Sequence, residues 1–449
     1  HWEELPIAIT AGPENYDSTM VMAGCIFADE TGKVHIFYTA QPSGGQCHAV
    51  ALDDSLIRWA KNPDNPVVPI LDTPPEGLRN FCLDPDIWKD GDTWYMLLAS
   101  TFNGSGAAPI MTSPDLKTWS YSNIFFKDKR YTYFEVPFYF RLDGRDILFV
   151  HGGRAGTGWI PREWEGKPFE GRYVDNNKPE TVLTWTGHYR ISAYVGSVVD
   201  RVFQPDRIME FDSALNMGGK TLLDDRKRRI IIGWVLEDRY GAPAESQPKL
   251  KTLRWVGFTS LPRVLHVRED NWLTREPVEE LKSLRYDHRS VPAMDIGKSG
   301  QEEFRPLGEI SGDALEIIAR FTPEGANRFG LAVRMSPDRR EITRIEVDRA
   351  QKKLVIDNTQ GTQNADPDMH KHRLELEFPG ASADHVELRV FLDRSVIEVF
   401  GNRNEVALTG RTYPTRTDSQ QVAVWATGGQ VRCDRIDAWK MKDITIIKR

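Results

Sequence analysis

Four stretches of the chain repeat one phrase, a turn of Gly or charged residues followed by a β-branched and aromatic run. They are Gly32 to Tyr38, Gly91 to Leu97, Gly144 to Val150 and Arg229 to Val235. A second phrase trails the first two, Asp54-Ser55-Leu56-Ile57-Arg58-Trp59 and Pro114-Asp115-Leu116-Lys117-Thr118-Trp119. Self-similarity of this kind is what a β-propeller leaves in a sequence, because each four-stranded blade is one repeat that buries its faces against its neighbours. Trp119 follows Trp59 by 60 positions, and Trp59 follows Trp2 by 57. On that spacing His1-Trp2 closes a blade phrase, and the opening strands of that blade are expected ahead of residue 1.

The pattern changes after Pro262. Arg285 to Arg305 is polar and irregular and reads as a linker. Beyond it, nine short alternating strands are expected: 314–321, 329–334, 341–348, 353–357, 372–378, 386–392, 395–400, 421–426 and 436–441. Short strands separated by turn residues favour a two-sheet sandwich. The reading is therefore all-β: propeller blades over 1–283, a linker over 284–305 and a β-sandwich over 306–449.

A net charge of −7 leaves no basic surface for nucleic acid. No apolar run approaches the ~18 residues of a membrane span, and Ile230 to Val235 suits a buried strand. The four cysteines are scattered and form no C-x-x-C, so neither a disulfide scaffold nor a zinc ribbon is expected. The compartment stays open. No P-loop, zinc-protease or G-x-S-x-G motif occurs, and Asn103-Gly104-Ser105-Gly106 lacks the third glycine of a dinucleotide fingerprint. The chemistry expected here calls for no cofactor and no metal.

What remains is acidic residues set among aromatic ones. Asp84 lies in Leu83-Asp84-Pro85, just before a strand. Glu135 lies within the run Tyr133-Phe134-Glu135-Val136-Pro137-Phe138-Tyr139-Phe140. A carboxyl among aromatic side chains loses hydration, which raises its pKa and suits it to act as an acid at neutral pH. Paired carboxylates in an aromatic cleft are the equipment of glycoside hydrolysis. Each has a plain alternative: Asp-Pro before a strand makes a turn, and Glu135 faces solvent by simple alternation. The 13 Trp, 13 Tyr and 20 Phe suit a carbohydrate cleft and a large β core equally.

The stretch Glu387 to Phe400 (ELRVFLDRSVIEVF), continuing through Asn404 to Thr409 and Arg411-Thr412-Tyr413-Pro414, resembles the C-terminal sandwich of glycoside hydrolase family 32. That family comprises invertases, inulinases, levanases and related fructosyltransferases. His1 to Ile9, Tyr16-Asp17 and Ser260-Leu261-Pro262-Arg263 resemble further phrases of the family. The resemblance implies a five-bladed propeller, its first blade incomplete or missing in this chain, followed by a β-sandwich. It implies a retaining mechanism on sucrose or fructans, with Glu135 as acid/base and Asp84 as transition-state stabiliser. The family's nucleophile sits in an N-D-P-N-G-type motif whose place precedes His1. Leu83 stands where the family has an Arg, Val136 where it has a Cys, and Met22 and Ala23 where it has an aromatic residue and a Ser. Asp17, Asp212 and Phe134 are further candidates for substrate contacts, and Asp17 or Asp212 for a substitute nucleophile. Two alternatives stand beside the fructosidase: an inactive glycan-binding relative, and a glycosidase with a shifted substrate. The expected partner is a carbohydrate, with no nucleic acid or membrane. A missing blade would expose strand edges, to be covered by a preceding segment, by a second subunit in a homo-oligomer, or by closure into a smaller ring.

Overall fold

A computed structural model describes residues 2–70, 73–79, 82–153, 189–213, 216–236, 257–365, 371, 373–402, 404–444 and 446–448. All four repeated phrases become the second strand of an antiparallel sheet: Val34–Gln41, Thr93–Phe102, Arg145–Gly153 and Arg229–Val235. Each is preceded in its sheet by a strand that the repeat did not mark, Met20–Ala28, Leu83–Asp90, Tyr133–Leu142 and Asn216–Leu223. Two or three further strands complete each sheet in chain order, as in propeller blades. Several hairpin turns are two-residue turns with both residues at positive φ, among them Asn103-Gly104 (48° and 75°) and Asp143-Gly144 (50° and 75°). This backbone matches the right-handed twist of the flanking strands. Asn103-Gly104, met in the sequence beside a glycine-rich phrase, is thus a hairpin turn.

The unmarked first strands share one defect. In the third blade Glu135 pairs with His151 and Phe138 with Phe149, so three steps on one strand meet two on its partner. The same one-residue excess lies between Val21 and Gly24, Leu83 and Asp86, and Met217 and Lys220. A bulge of this kind breaks the two-residue alternation and re-aims the side chains beside it.

By contacts the chain forms two units. One holds the described residues up to Met209 with the terminal strand Ile446–Lys448; the other runs from Glu210 to Ile444. In the first unit, Trp2–Glu4 pairs in parallel with Ile446–Lys448. Three blades fill the rest of it, and first strands of successive blades lie against one another. The core between the second and third blades includes Leu97, Phe126, Phe134 and Tyr194.

In the second unit the fourth blade packs on the sandwich through Ile230, Val264, Leu281, Phe391 and Phe400. The sandwich faces a seven-stranded sheet to a six-stranded one, and their inner faces share one large aliphatic core. The nine expected strands are all present, joined by Glu303–Ser311 and Val406–Arg411. Much of the segment read as a linker is also strand: Arg285–Val291 and Met294–Ile296 both pair with Val431–Met441. Arg285–Val291 is an edge strand with five consecutive exposed residues, so it carries no alternation to read. Among the described residues, no helix is long and apolar enough to cross a membrane.

Candidate active site

Two of the bulges carry the two acidic residues. Leu83-Asp84-Pro85-Asp86 and Glu135-Val136-Pro137-Phe138 occupy matching bulge positions in the second and third blades. Proline has no N–H to give to a ladder, so it settles where pairing is already broken. The residue before each proline sits at positive φ, 56° at Asp84 and 44° at Val136. That region is uncommon for any residue with a Cβ and a true outlier for a β-branched one, so the surroundings must hold it.

Asp84 is buried, with 4% of its surface exposed. Its carboxylate Oδ2 accepts the Val136 backbone N–H at 2.9 Å. The Asp84 carboxylate is therefore hydrogen-bonded to the residue next to Glu135. Two positions further along, the Asp86 carboxylate accepts the Tyr139 N–H at 3.0 Å, so the second and third blades are stitched together within the bulge and just after it. Glu135 is partly exposed and stands opposite His151, which is buried, in the strand register. On the other side of the site, the Asp84 N–H donates to Thr39 Oγ1 of the first blade at 2.9 Å.

The remaining sequence candidates sit in other surroundings. Phe134 is 2% exposed and its ring is committed to the inter-blade core, stacked on Phe126 and edge-on to Tyr131. Asp17 is fully buried. Its Oδ2 takes Lys61 Nζ at 2.6 Å and the Tyr38 hydroxyl at 2.9 Å, while Oδ1 takes the Gly12 N–H at 3.2 Å. Asp212 is also fully buried. Its Oδ1 accepts the N–H groups of Ser213 and Thr409, both at 2.7 Å. Its Oδ2 accepts Arg263 at 2.6 Å, the Thr409 hydroxyl at 2.8 Å and Asn216 at 2.9 Å. Both carboxylates are thus occupied by protein donors.

Arg263 gives its other nitrogen to Glu398 at 2.5 Å, and Glu398 also accepts the Leu261 N–H at 2.7 Å. The two phrases Ser260–Arg263 and Ser395–Phe400, far apart in sequence, meet at this buried node. Burial pushes the Glu398 carboxyl up in spite of Arg263 beside it.

The sequence reading did not anticipate His151, Thr39 or Gln46. All three lie in second or third strands of blades, where a polar residue carries no motif. Register sets His151 opposite Glu135 and Gln46 opposite Thr39, and side-chain hydrogen bonds link Thr39 and Gln46 to the segment that carries Asp84. Among the described residues, no group of three or more His, Cys, Asp or Glu is arranged to hold a metal ion.

The family model "Glycosyl hydrolases family 32 N-terminal domain" matches residues 1–277, and "Glycosyl hydrolases family 32 C terminal" matches 280–440. The chain is 26% identical to a levanase of Bacillus subtilis (strain 168) over 468 aligned positions, which cover 99% of this chain and 63% of that protein. It thus spans under two thirds of that relative's length. A sucrose-6-phosphate hydrolase of Escherichia coli is 24% identical, with 98% of this chain and 84% of that protein covered. Among solved structures, fructan 1-exohydrolase IIa from Cichorium intybus superposes with a TM-score of 0.76 at 18% identity, over 98% of this chain and 87% of that one. The fold is shared with that enzyme, and the matched models run through both the blades and the sandwich: the chain belongs to glycosyl hydrolase family 32.

Proposed function

We propose that the protein is a retaining glycoside hydrolase of the β-fructofuranosidase kind, acting on sucrose or fructans, with Glu135 as acid/base and Asp84 as transition-state stabiliser. The observation that carries this reading is the hydrogen bond from Val136 N–H to Asp84 Oδ2. It sets one carboxylate beside the residue that follows the other. Glu135 protonates the glycosidic oxygen as the bond breaks, then takes a proton from the incoming water or acceptor hydroxyl. Asp84 accepts from sugar hydroxyls as positive charge grows on the ring, an interaction that strengthens only in the transition state. The covalent step needs a further carboxylate, which in the family pattern belongs to an N-D-P-N-G-type motif. Asp17 and Asp212 do not suit that step, because protein donors already occupy both oxygens of each. They act as anchors within the fold.

The reading is supported by named relatives that include a levanase, sucrose-6-phosphate hydrolases and exo-inulinases. Sugar contacts differ from the family pattern at Leu83, which packs against the inter-blade core. An apolar side chain offers no directional donor to hydroxyls, where Arg offers five.

The test is fructose release from sucrose, inulin and levan by the full-length protein, by Asp84→Asn and by Glu135→Gln. The unmutated protein is expected to release fructose from at least one of the three. Each variant should lose about 10²–10⁴-fold in turnover while its melting temperature holds. Full turnover by either folded variant contradicts its assigned role.

A further inference from the structure

Resting on that reading of Asp84, we propose that Thr39 is a positioning residue for the reaction, acting with Gln46 as a staple from the first blade onto the segment that carries Asp84. Thr39 and Gln46 face each other in the register of Val34–Gln41 and Gln46–Ala51. Both are buried, at 0% and 2% exposure. Thr39 Oγ1 accepts the Asp84 N–H at 2.9 Å and donates to Gln46 Oε1 at 2.8 Å. Gln46 Nε2 then donates to the Cys82 carbonyl at 2.8 Å.

The polarity of this ring is determined. The hydroxyl has one proton, which goes to Gln46, so a lone pair is left for Asp84. The Gln46 amide has one orientation that serves both of its partners. The two ends of the staple grip residues 82 and 84, on either side of Leu83. They fix the backbone where Asp84 adopts its φ of 56°. A side chain on a residue in that region points along a direction that only the held backbone provides, and release of the N–H lets the carboxylate swing. The Val136 N–H holds Oδ2 from the third blade, so Asp84 is positioned from two blades at once. Neither Thr39 nor Gln46 needs to touch the sugar.

The experiment is a double-mutant cycle in the full-length protein, with kcat and KM measured on the best of sucrose, inulin and levan. Thr39→Val keeps the shape and removes the hydroxyl; Thr39→Ser keeps the hydroxyl. Thr39→Val should lower kcat by about a hundredfold, the scale of a misplaced catalytic group, with KM changed much less. Thr39→Ser should restore most of kcat. In an Asp84→Asn background, Thr39→Val should have little further effect, because the group it positions is already disabled. Gln46→Met, which releases the staple from its other end, should reproduce the kcat loss if Thr39→Val does not fold. Equal losses from Thr39→Val with and without Asp84, or unchanged kcat in folded Thr39→Val and Gln46→Met, overturn the inference while leaving Asp84 itself in place. A harmless Asp84→Asn, or no turnover by the unmutated protein, removes the parent reading and this one with it.

Discussion

His35 and His48 in the first blade have room for one proton between them: His35 Nδ1 lies 2.9 Å from His48 Nε2, with the ring planes 13° apart. His35 Nε2 faces Asp29 at 3.2 Å, and His48 Nδ1 faces Asn62 at 3.3 Å. Burial, then the charges of His35 and Lys33, push His48 down to about 4. The folded state therefore binds fewer protons than the unfolded chain, in which an ordinary histidine titrates near ~6.5, and stability rises with pH across that interval. The melting temperature is expected to fall as pH drops from about 7 towards about 4. His48→Gln should flatten that dependence, and an unchanged slope in the variant contradicts the assignment. Sequence patterning alone cannot find such a pair, because the two histidines are 13 positions apart and meet only through strand register. Proline and aromatic neighbours drew attention to Asp84 and Glu135, but only the family resemblance gave them roles as candidates. Thr39 and Gln46 were not legible, because an isolated polar residue in a strand resembles many others.

At the scale of elements, the second strand of every described blade was legible because a turn leads into an unbroken β-branched and aromatic run, buried on consecutive residues. The first strands escaped the repeat; their bulges add one residue and shift the pattern, in the second and third blades just where Asp84 and Glu135 sit. The family phrase around Glu398 has a physical counterpart in the buried Asp212–Arg263–Glu398 node, which joins the fourth blade to the sandwich. Removing one member of a buried ion network leaves the others charged and unmatched. Glu398→Ala should therefore cost about 3–5 kcal/mol, read by urea denaturation, whereas Glu387→Ala, at an exposed pair with Arg320, should cost under about 1 kcal/mol. Equal effects of the two substitutions contradict the role given to the node.

For the molecule as a whole, the resemblance that began with one sandwich phrase extends over almost the entire chain, as the two matched family models show. The boundary expected near residue 283 rests on the change of strand pattern after Pro262. Packing instead groups the fourth blade with the sandwich, from Glu210 onward, because apolar side chains such as Ile230 and Phe400 share one core. Substrate choice was the least legible property, since no repeated element of the sequence bears on it.

The central claim is that Glu135 supplies the proton to the leaving oxygen, and it is tested most directly by changing the leaving group. Fluoride leaves β-fructosyl fluoride without needing that proton, whereas the sugar leaving group of sucrose needs it. In the full-length protein, Glu135→Gln should cut sucrose turnover by about 10²–10⁴-fold while fluoride release in the first turnover stays within about tenfold of the unmutated rate. Loss of both activities to the same extent in a folded variant, or loss of neither, would contradict it.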